Sequence, residues 1–295
     1  MKRSLLRRFS SYSLVIPALV VYTFVMIIPT FTNIQFSFTN WNGVSDNFDY
    51  VGFRNYANLF RDPNFFKALL VTFEMSILII VFQQALGLAL ALQLERNRKI
   101  NVFFRSLFFI PNLLNTVVVG LIFSYAFSFN FGYVREFFEL IGLDSVARID
   151  WLGNGKYALY AIVFTTVWQY SGLSMLLYLS SLMEIPPDLY ESALIDGVSS
   201  WQRFRHITFP LIAPALTINS LITLIGCIRL FDLPYVMTNG GPGNATQTIA
   251  ILLYKDTFMG HNAGRGAADS VVLVAIILLF SLIQNSFLRR REVEY

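Results

Sequence analysis

Six apolar stretches, each long enough to cross a bilayer, constrain the fold of this 295-residue chain more than any other feature. A transmembrane helix needs about 20 mostly apolar residues, and these stretches cover residues 14–36, 68–94, 103–129, 157–183, 211–230 and 270–287. They show no two-residue alternation of the kind that marks a transmembrane β-barrel. Only 14% of the residues are charged, against about a quarter in a soluble domain. We therefore predict an all-α integral membrane protein in which residues 1–295 form a single domain with six transmembrane helices.

Basic residues indicate the orientation, because short loops rich in Lys and Arg stay in the cytoplasm. They concentrate on the side that would hold both termini: Lys2, Arg3, Arg7, Arg8, Arg96, Arg98, Lys99, Arg105, Arg203, Arg205, Arg289, Arg290 and Arg291. The first apolar stretch is too long for a signal peptide and lacks an A-x-A cleavage pattern, so it is expected to remain as a span. Both termini and the segment 185–210 are therefore predicted to be cytoplasmic.

Several functional classes lack support in the sequence. His206 and His261 are isolated, and Cys227 is the one cysteine, so no metal site and no catalytic set is expected. Gly155 and Lys156 end a stretch that resembles a phosphate-binding loop, but Asp150 stands where the first glycine of that motif is required. The net charge of +4 reflects the basic residues of the cytoplasmic side and does not indicate a nucleic-acid partner.

The polar segment 185–210 lies between the fourth and fifth apolar stretches and predicts two short helices. Pro186 and Pro187 suit a first helical turn, and Gly197 suits the left-handed residue that ends a helix. Ser199 and Gln202 have the spacing of a capping box, which predicts a second helix over 200–207. The segment is thus expected to form a cytoplasmic helix-turn-helix.

Two interpretations of this segment follow from its physical character. It could lie on the lipid headgroups as an amphipathic hairpin, or it could dock into a groove of a cytoplasmic partner. The acidic side chains of Glu191 and Asp196 favour a protein partner, because an anionic inner leaflet repels them.

The residues of the segment also resemble a known motif. Glu191-Ser192-Ala193, Asp196-Gly197 and the Ile207 to Pro210 stretch resemble the EAA coupling loop of ABC-importer permeases. Further stretches resemble the carbohydrate-uptake group, similar to the smaller maltose-, lactose- and arabinose-type oligosaccharide permeases: Val51 to Tyr56, Ile110-Pro111, Trp151-Leu152 and Thr238 to Pro242. Ser192 replaces the first alanine of the motif and Phe209 replaces a leucine, and neither change removes a charged or glycine position.

The resemblance implies a permease subunit of an ATP-driven importer for a sugar, expected to be an oligosaccharide. The residues implied in coupling to the ATPase are Glu191, Ser192, Ala193, Asp196, Gly197 and Pro210. The implied partners are a second, homologous permease, two copies of a cytoplasmic ATPase that bind ATP and Mg²⁺, membrane lipid, and an extracytoplasmic solute-binding protein that docks near Gly240, Gly241 and Pro242. The chain itself would then be no enzyme, would bind no cofactor, and would lie in a bacterial-type cell membrane.

Two helical stripes supply candidate contacts for the sugar. Polar groups at membrane depth are costly and often functional, and the stripes follow i, i+3, i+4, i+7 spacing. The fourth stretch offers Thr166, Gln169, Tyr170 and Leu173 with Trp168 adjoining, and the fifth offers Thr223, Gly226, Cys227 and Leu230, with Arg229 and Asp232 nearby. The alternative is that these residues only pack helices together, as small and polar side chains do in membranes.

A different function stays open on the sequence alone, namely a self-contained secondary transporter or channel for small polar solutes. Such a protein often has paired acidic residues in the membrane or an internal repeat. Glu74 is the one acidic residue deep enough to suggest it, and no repeat is evident.

Overall fold

The computed structural model describes residues 15–96 and 98–289, which are almost entirely helical. A single bridge between Thr39 and Tyr50 is the β pairing found among them. In chain order the α-helices are α1 (Val15–Tyr22), α2 (Ile28–Phe36), α3 (Arg54–Leu59), α4 (Pro63–Leu94), α5 (Lys99–Leu113), α6 (Thr116–Ala126), α7 (Tyr133–Leu140), α8 (Asp144–Ala147), α9 (Gly155–Met183), α10 (Pro187–Ile195), α11 (Ser200–Arg203), α12 (Phe209–Leu211), α13 (Ala213–Ile228), α14 (Asp232–Thr238), α15 (Ile249–Tyr254) and α16 (Ala263–Arg289). Wider π-helical turns cover Thr23–Ile27, Phe204–Thr208 and Lys255–Met259.

Four of these helical stretches are long and apolar enough to cross a membrane, and two bent pairs raise the number to six if each pair counts as one span. The four are Val15–Phe36, Pro63–Leu94, Gly155–Met183 and Ala263–Phe287. The bent pairs are Lys99–Leu113 with Thr116–Ala126 and Ser200–Leu211 with Ala213–Ile228. Leu14, where the first span was expected to begin, lies outside the described residues, as do Lys2, Arg3, Arg7, Arg8, Arg290 and Arg291.

The third apolar stretch, expected as a single span over 103–129, is broken. Helices α5 and α6 meet at an angle of 96°. Pro111 lacks the N–H that would continue the ladder, and Leu114 is extended (ψ 144°). Asn115 then caps the new helix, because its side-chain oxygen accepts hydrogen bonds from the amides of Val117 (2.9 Å) and Val118 (3.4 Å).

The last two stretches also differ from their expected limits. Helix α13 ends at Ile228, so Arg229 and Leu230 follow the helix and are not part of it. Helix α16 begins at Ala263, seven residues before the expected start of the sixth span. The earlier start places the charged residues Arg265 and Asp269 within the helix.

The described chain divides into two compact units, one built from residues up to 62 with Leu253–Val272 and one from Pro63–Leu252 with the residues from 273 onward. In the first unit, Asn55 donates hydrogen bonds to the carbonyls of Ser37 (2.9 Å) and Thr39 (2.8 Å). The Arg265 cluster, which we define as Arg265 with the carboxylates of Asp62, Asp256 and Asp269, lies in the same unit. Its members come from distant parts of the chain and tie them together.

The second unit is built around α4 and α9, which pack along their length. Their backbones approach closely at Gly87, where an added Cβ would lie 2.6 Å from the Cβ of Ser174. Helix α9 comes equally close to α5 at Gly172, whose added Cβ would collide with the carbonyl oxygen of Phe108. Small residues at such contacts are typical of membrane helices, which associate through close backbone packing.

Candidate functional site

The segment 185–210 contains helix α10, which ends in a complete Schellman motif. The amide of Val198 donates to the carbonyl of Ala193 (3.0 Å) and the amide of Gly197 donates to that of Leu194 (3.2 Å). Gly197 has φ +70°, the left-handed value that this motif requires. An added Cβ at Gly197 would meet no atom within 4 Å, so the constraint at this position is conformational.

Helix α11 begins with the capping box that the sequence predicts. The amide of Gln202 donates to Ser199 Oγ (3.3 Å), and the amide of Ser199 donates to Gln202 Oε1 (3.0 Å). A hydrogen bond between the hydroxyls of Tyr190 and Thr208 (3.2 Å) joins α10 to the π-helical turn, and the Arg203 guanidinium lies over the Tyr190 ring. These contacts hold the two helices of the segment in one arrangement.

The motif residues of α10 differ in exposure in a way that suits docking. Glu191, Ser192 and Asp196 are exposed, whereas Ala193 is buried. The Ser192 hydroxyl donates to the carbonyl of Asp188 (2.8 Å), so the serine is satisfied within its own helix. Large apolar side chains are also exposed beside these acidic groups, and Ile195 is 87% exposed.

A cleft of about 630 Å³ lies between the segment and the end of α4. Its walls include Arg96, Tyr190, Trp201 and Arg203. The end of α4 is fixed by Arg105, whose guanidinium donates to the carbonyls of Leu94 and Glu95 and so satisfies two of the acceptors that a helix end leaves open. Hydrogen bonds therefore hold the backbone on both sides of the cleft, those of Arg105 at the end of α4 and those of the capping box in the segment.

A second cavity, of about 480 Å³, brings the two predicted stripes together. It lies between α4, α9 and α13, and nine of the residues named with the two stripes line it: Thr166, Tyr170, Leu173, Thr223, Gly226, Cys227, Arg229, Leu230 and Asp232. Hydroxyl, amide and aromatic groups share this wall with aliphatic carbon. Such a mixture suits a ligand that carries both hydroxyl groups and apolar ring faces.

Trp168 and Gln169, predicted with the same stripe, lie elsewhere. Trp168 lines a separate apolar cleft of about 660 Å³ beside α5, with its ring 5.1 Å from that of Phe123. Gln169 is buried and donates to the carbonyl of Leu114 (3.2 Å), which is the acceptor freed by the break between α5 and α6. The structure therefore gives Gln169 a role in supporting the bend.

Arg229 and Asp232 both line one end of the cavity and are exposed. Among the described residues no ion pair joins them, although they lie three residues apart in sequence. Arg229 follows the last residue of α13 and presents its charge where the helix has ended.

The sequence stripes missed three polar residues of the cavity wall, Gln83, Thr116 and Asn219. Asn219 lies one turn before Thr223, so extending the stripe of the fifth stretch by four residues would have found it. Gln83 of α4 and Thr116 of α6 belong to neither stripe, and only the packing of the helices shows that they border the cavity.

The turn that follows α14 is held by several hydrogen bonds. Gly240 has φ +81°, and an added Cβ would lie 3.2 Å from that of Gln247. Thr246 donates to the carbonyl of Gly241 (2.8 Å), and Lys67 of α4 donates to that of Gly243 (2.6 Å). Pro242 is exposed at the tip of this ordered turn.

Comparison with known proteins assigns the family. A model of the inner membrane component of binding-protein-dependent transport systems matches residues 83–293. The chain belongs to this family. It is 35% identical over 285 residues to the probable ABC transporter permease protein YurN of Bacillus subtilis (strain 168), covering 96% of this chain and 97% of that protein. It is 34% identical over 279 residues to the probable starch degradation products transport system permease protein AmyD of Thermoanaerobacterium thermosulfurigenes, covering 94% and 93%.

A solved bacterial transporter contains a chain with the same fold. A bacterial alginate ABC transporter, in complex with alginate pentasaccharide-bound periplasmic protein, contains a chain that superposes with a TM-score of 0.85 at 22% identity, covering 98% of this chain and 97% of that one. The family match and the curated relatives show that the protein is a multi-pass membrane permease of an ABC transporter. The matched residues include the segment 185–210 and every residue of the cavity wall except Ile79.

Proposed function

We propose that this protein is one permease subunit of an ATP-driven importer of an oligosaccharide and forms half of the translocation path. The observation that carries the proposal is the covalent continuity between the segment 185–210 and two walls of the polar cavity. Helix α9 enters the segment at one end, and α13 leaves it at the other. Movement of the segment would thus be transmitted directly to Thr166, Tyr170, Thr223 and their neighbours.

The proposed coupling works through the exposed face of α10. Glu191 and Asp196 offer negative charge to a basic groove of the ATPase, and Ile195 offers apolar surface. Gly197 forms the sharp turn behind this face. Closure of two ATPase copies on ATP and Mg²⁺ would move the segment. The helical stretch Ser200–Leu211 meets α13 at 64°, so a movement of the segment would change the position of α13 in the cavity wall.

The proposed topology counts each bent pair as one span, which gives six spans with both termini and the segment 185–210 in the cytoplasm. A second, homologous permease would supply the other half of the path. The turn at Gly240, Gly241 and Pro242 would then lie outside the membrane, where the solute-binding protein docks. The hydrogen bonds from Thr246 and Lys67 keep that turn in a fixed shape for docking.

The substrate class is supported by the cavity wall and by the relatives. Hydroxyl, amide and aromatic side chains line the cavity, as expected for a sugar. The relative from Thermoanaerobacterium thermosulfurigenes is named for transport of starch degradation products. Trp168 and Gln169 do not border this cavity, so we propose contacts to the sugar from Thr166, Tyr170, Leu173, Gly226, Cys227 and Arg229.

Affinity purification of the tagged chain from its native membranes in mild detergent tests the assembly. Mass spectrometry is expected to identify an ATPase with a phosphate-binding loop and a second permease that carries its own coupling motif. Recovery of the chain alone, with solute transport that needs no ATP, would contradict the proposal and favour a self-contained secondary transporter.

A further inference from the structure

Six buried polar side chains from three helices form one connected hydrogen-bond network at an end of the cavity. They are Gln83 and Gln84 of α4, Ser174 and Tyr178 of α9, and Asn219 and Thr223 of α13. Unpaired polar groups are costly at membrane depth, so the donors and acceptors of such a network should be matched. This matching determines, for each glutamine side chain, whether its nitrogen or its oxygen is bonded to the other members of the network.

The protons of the two hydroxyl groups are already used. Ser174 Oγ donates to the side-chain oxygen of Asn219 (3.1 Å), and Thr223 Oγ1 donates to the backbone carbonyl of Asn219 (2.9 Å). A hydroxyl carries one proton and two lone pairs. Towards any other neighbour, Ser174 and Thr223 can therefore only accept.

Gln83 satisfies both hydroxyls from the same side-chain nitrogen. Its Nε2 donates to Ser174 Oγ (2.8 Å) and to Thr223 Oγ1 (3.3 Å), which uses both of its protons. A reversed amide would direct oxygen at two lone-pair acceptors, so the network itself sets the orientation. The Gln83 side-chain oxygen accepts no hydrogen bond from the described residues, and it is not among their enclosed unpaired atoms. Since Gln83 lines the cavity, this oxygen is its open acceptor.

Gln84 also donates a hydrogen bond within the network, but it does not line the cavity. Its Nε2 donates to Thr223 Oγ1 (3.0 Å), and its oxygen accepts from the Tyr178 hydroxyl (2.5 Å). With both glutamines bonded to it, Thr223 has no lone pair or proton left for a ligand, although it borders the cavity. The two adjacent glutamines thus differ at the side-chain oxygen. That of Gln84 accepts a hydrogen bond from Tyr178, whereas that of Gln83 is open to the cavity.

We infer that Gln83 contacts the substrate directly, with its side-chain oxygen accepting a hydrogen bond from a sugar hydroxyl, and that Ser174 and Thr223 are positioning residues that fix this orientation. The inference rests on the proposed import of a sugar. A hydroxyl group can donate to this oxygen, whereas a carboxylate or phosphate at the same place would be repelled by it. The network therefore gives this part of the path a preference for neutral, hydroxyl-bearing ligand surface.

The test uses the complete transporter in proteoliposomes, with radiolabelled maltotriose, xylotriose or raffinose supplied on the binding protein. Gln83→Met keeps the length of the side chain and removes the acceptor. The number of sugars imported per ATP hydrolysed is expected to fall about fivefold, the size of one net hydrogen bond. A merely structural role would lower uptake and ATP hydrolysis together and leave that ratio unchanged.

The matched control is the double variant Gln84→Met with Tyr178→Phe, which removes a paired donor and acceptor from the same network. Replacing both partners is nearly neutral, and Thr223 loses the Gln84 donor but keeps its hydrogen bonds to Gln83 and to the Asn219 carbonyl, so the ratio is expected to stay within about twofold of the wild type. Equal losses in both variants, or an unchanged ratio in Gln83→Met, would overturn the inference. Should Gln83→Met fail to assemble, Gln83→Asn withdraws the oxygen by one methylene and takes its place. A wild-type complex that imports none of the three sugars would refute the proposed function, and this inference with it.

Discussion

Substitutions at Gly197 that differ in their tolerance of the left-handed conformation test how the segment 185–210 works. The residue has φ +70°, and an added Cβ would meet nothing within 4 Å of this chain. The cost of a side chain is thus set by the backbone, and for an ordinary L-residue it is about 1–2 kcal/mol. Because 1.4 kcal/mol is a factor of ten, the correctly turned segment should become about 5- to 30-fold less populated with alanine.

Asparagine distinguishes this explanation from a steric one. It is larger than alanine but adopts the left-handed conformation more readily, because its short polar side chain bonds the local backbone. ATP-driven uptake is therefore expected to decrease in the order Gly197, Gly197→Asn, Gly197→Ala, Gly197→Val, since a β-branched residue tolerates positive φ least. Uptake is measured in proteoliposomes at equal amounts of membrane-inserted chain.

Two results would refute the reasoning. If alanine supports more uptake than asparagine, size against a docking partner determines the effect and the conformation of the turn does not. If Gly197→Val transports like the wild type, the turn has no role in coupling. Insertion of every variant into the membrane is expected to be normal, because the segment lies outside the apolar helices.

Three further predictions concern other parts of the chain. Ser199→Ala removes a helix cap, which costs about 0.5–2 kcal/mol, and should speed amide hydrogen exchange across residues 200–208; unchanged exchange would show that the cap is dispensable. Arg265→Met removes the partly buried guanidinium that pairs with Asp62 and Asp256 and should cost about 3–5 kcal/mol in thermal unfolding of the detergent-solubilised protein. Arg135→Met removes an exposed pair with Glu139, should cost at most about 1 kcal/mol, and serves as its control; similar losses in both would contradict the burial argument. Arg229→Met should change which oligosaccharides are imported while ATPase binding stays intact, and an unchanged substrate profile would exclude Arg229 from the path.

The local features of the segment 185–210 could be predicted from sequence because each depends on neighbours along the chain. Gly197 ends α10 in the left-handed conformation, and Ser199 and Gln202 form the expected capping box. Both signals are complete within three or four residues. No long-range contact is needed to read them.

The cavity was only partly predictable, because it depends on which helices approach one another. Helical spacing placed Thr166, Tyr170 and Leu173 on one face, and the structure brings that face to the cavity. The same spacing included Gln169, which instead supports the break at Leu114. That break arises where Pro111 and Asn115 act together, and hydropathy alone shows one continuous stretch. Gln83 borders the cavity only because Gly87 lets α4 and α9 come close, a contact between residues far apart in sequence.

In the proposed importer, this chain moves a sugar only when a partner hydrolyses ATP. Uptake of maltotriose, xylotriose and raffinose into proteoliposomes that contain the full set of subunits, with ATP or with a non-hydrolysable analogue enclosed, tests it most directly. We predict that at least one of the three sugars accumulates in proteoliposomes that enclose ATP and that none accumulates in those that enclose the analogue. Equal accumulation in both, or accumulation by this chain without its partners, would contradict the account.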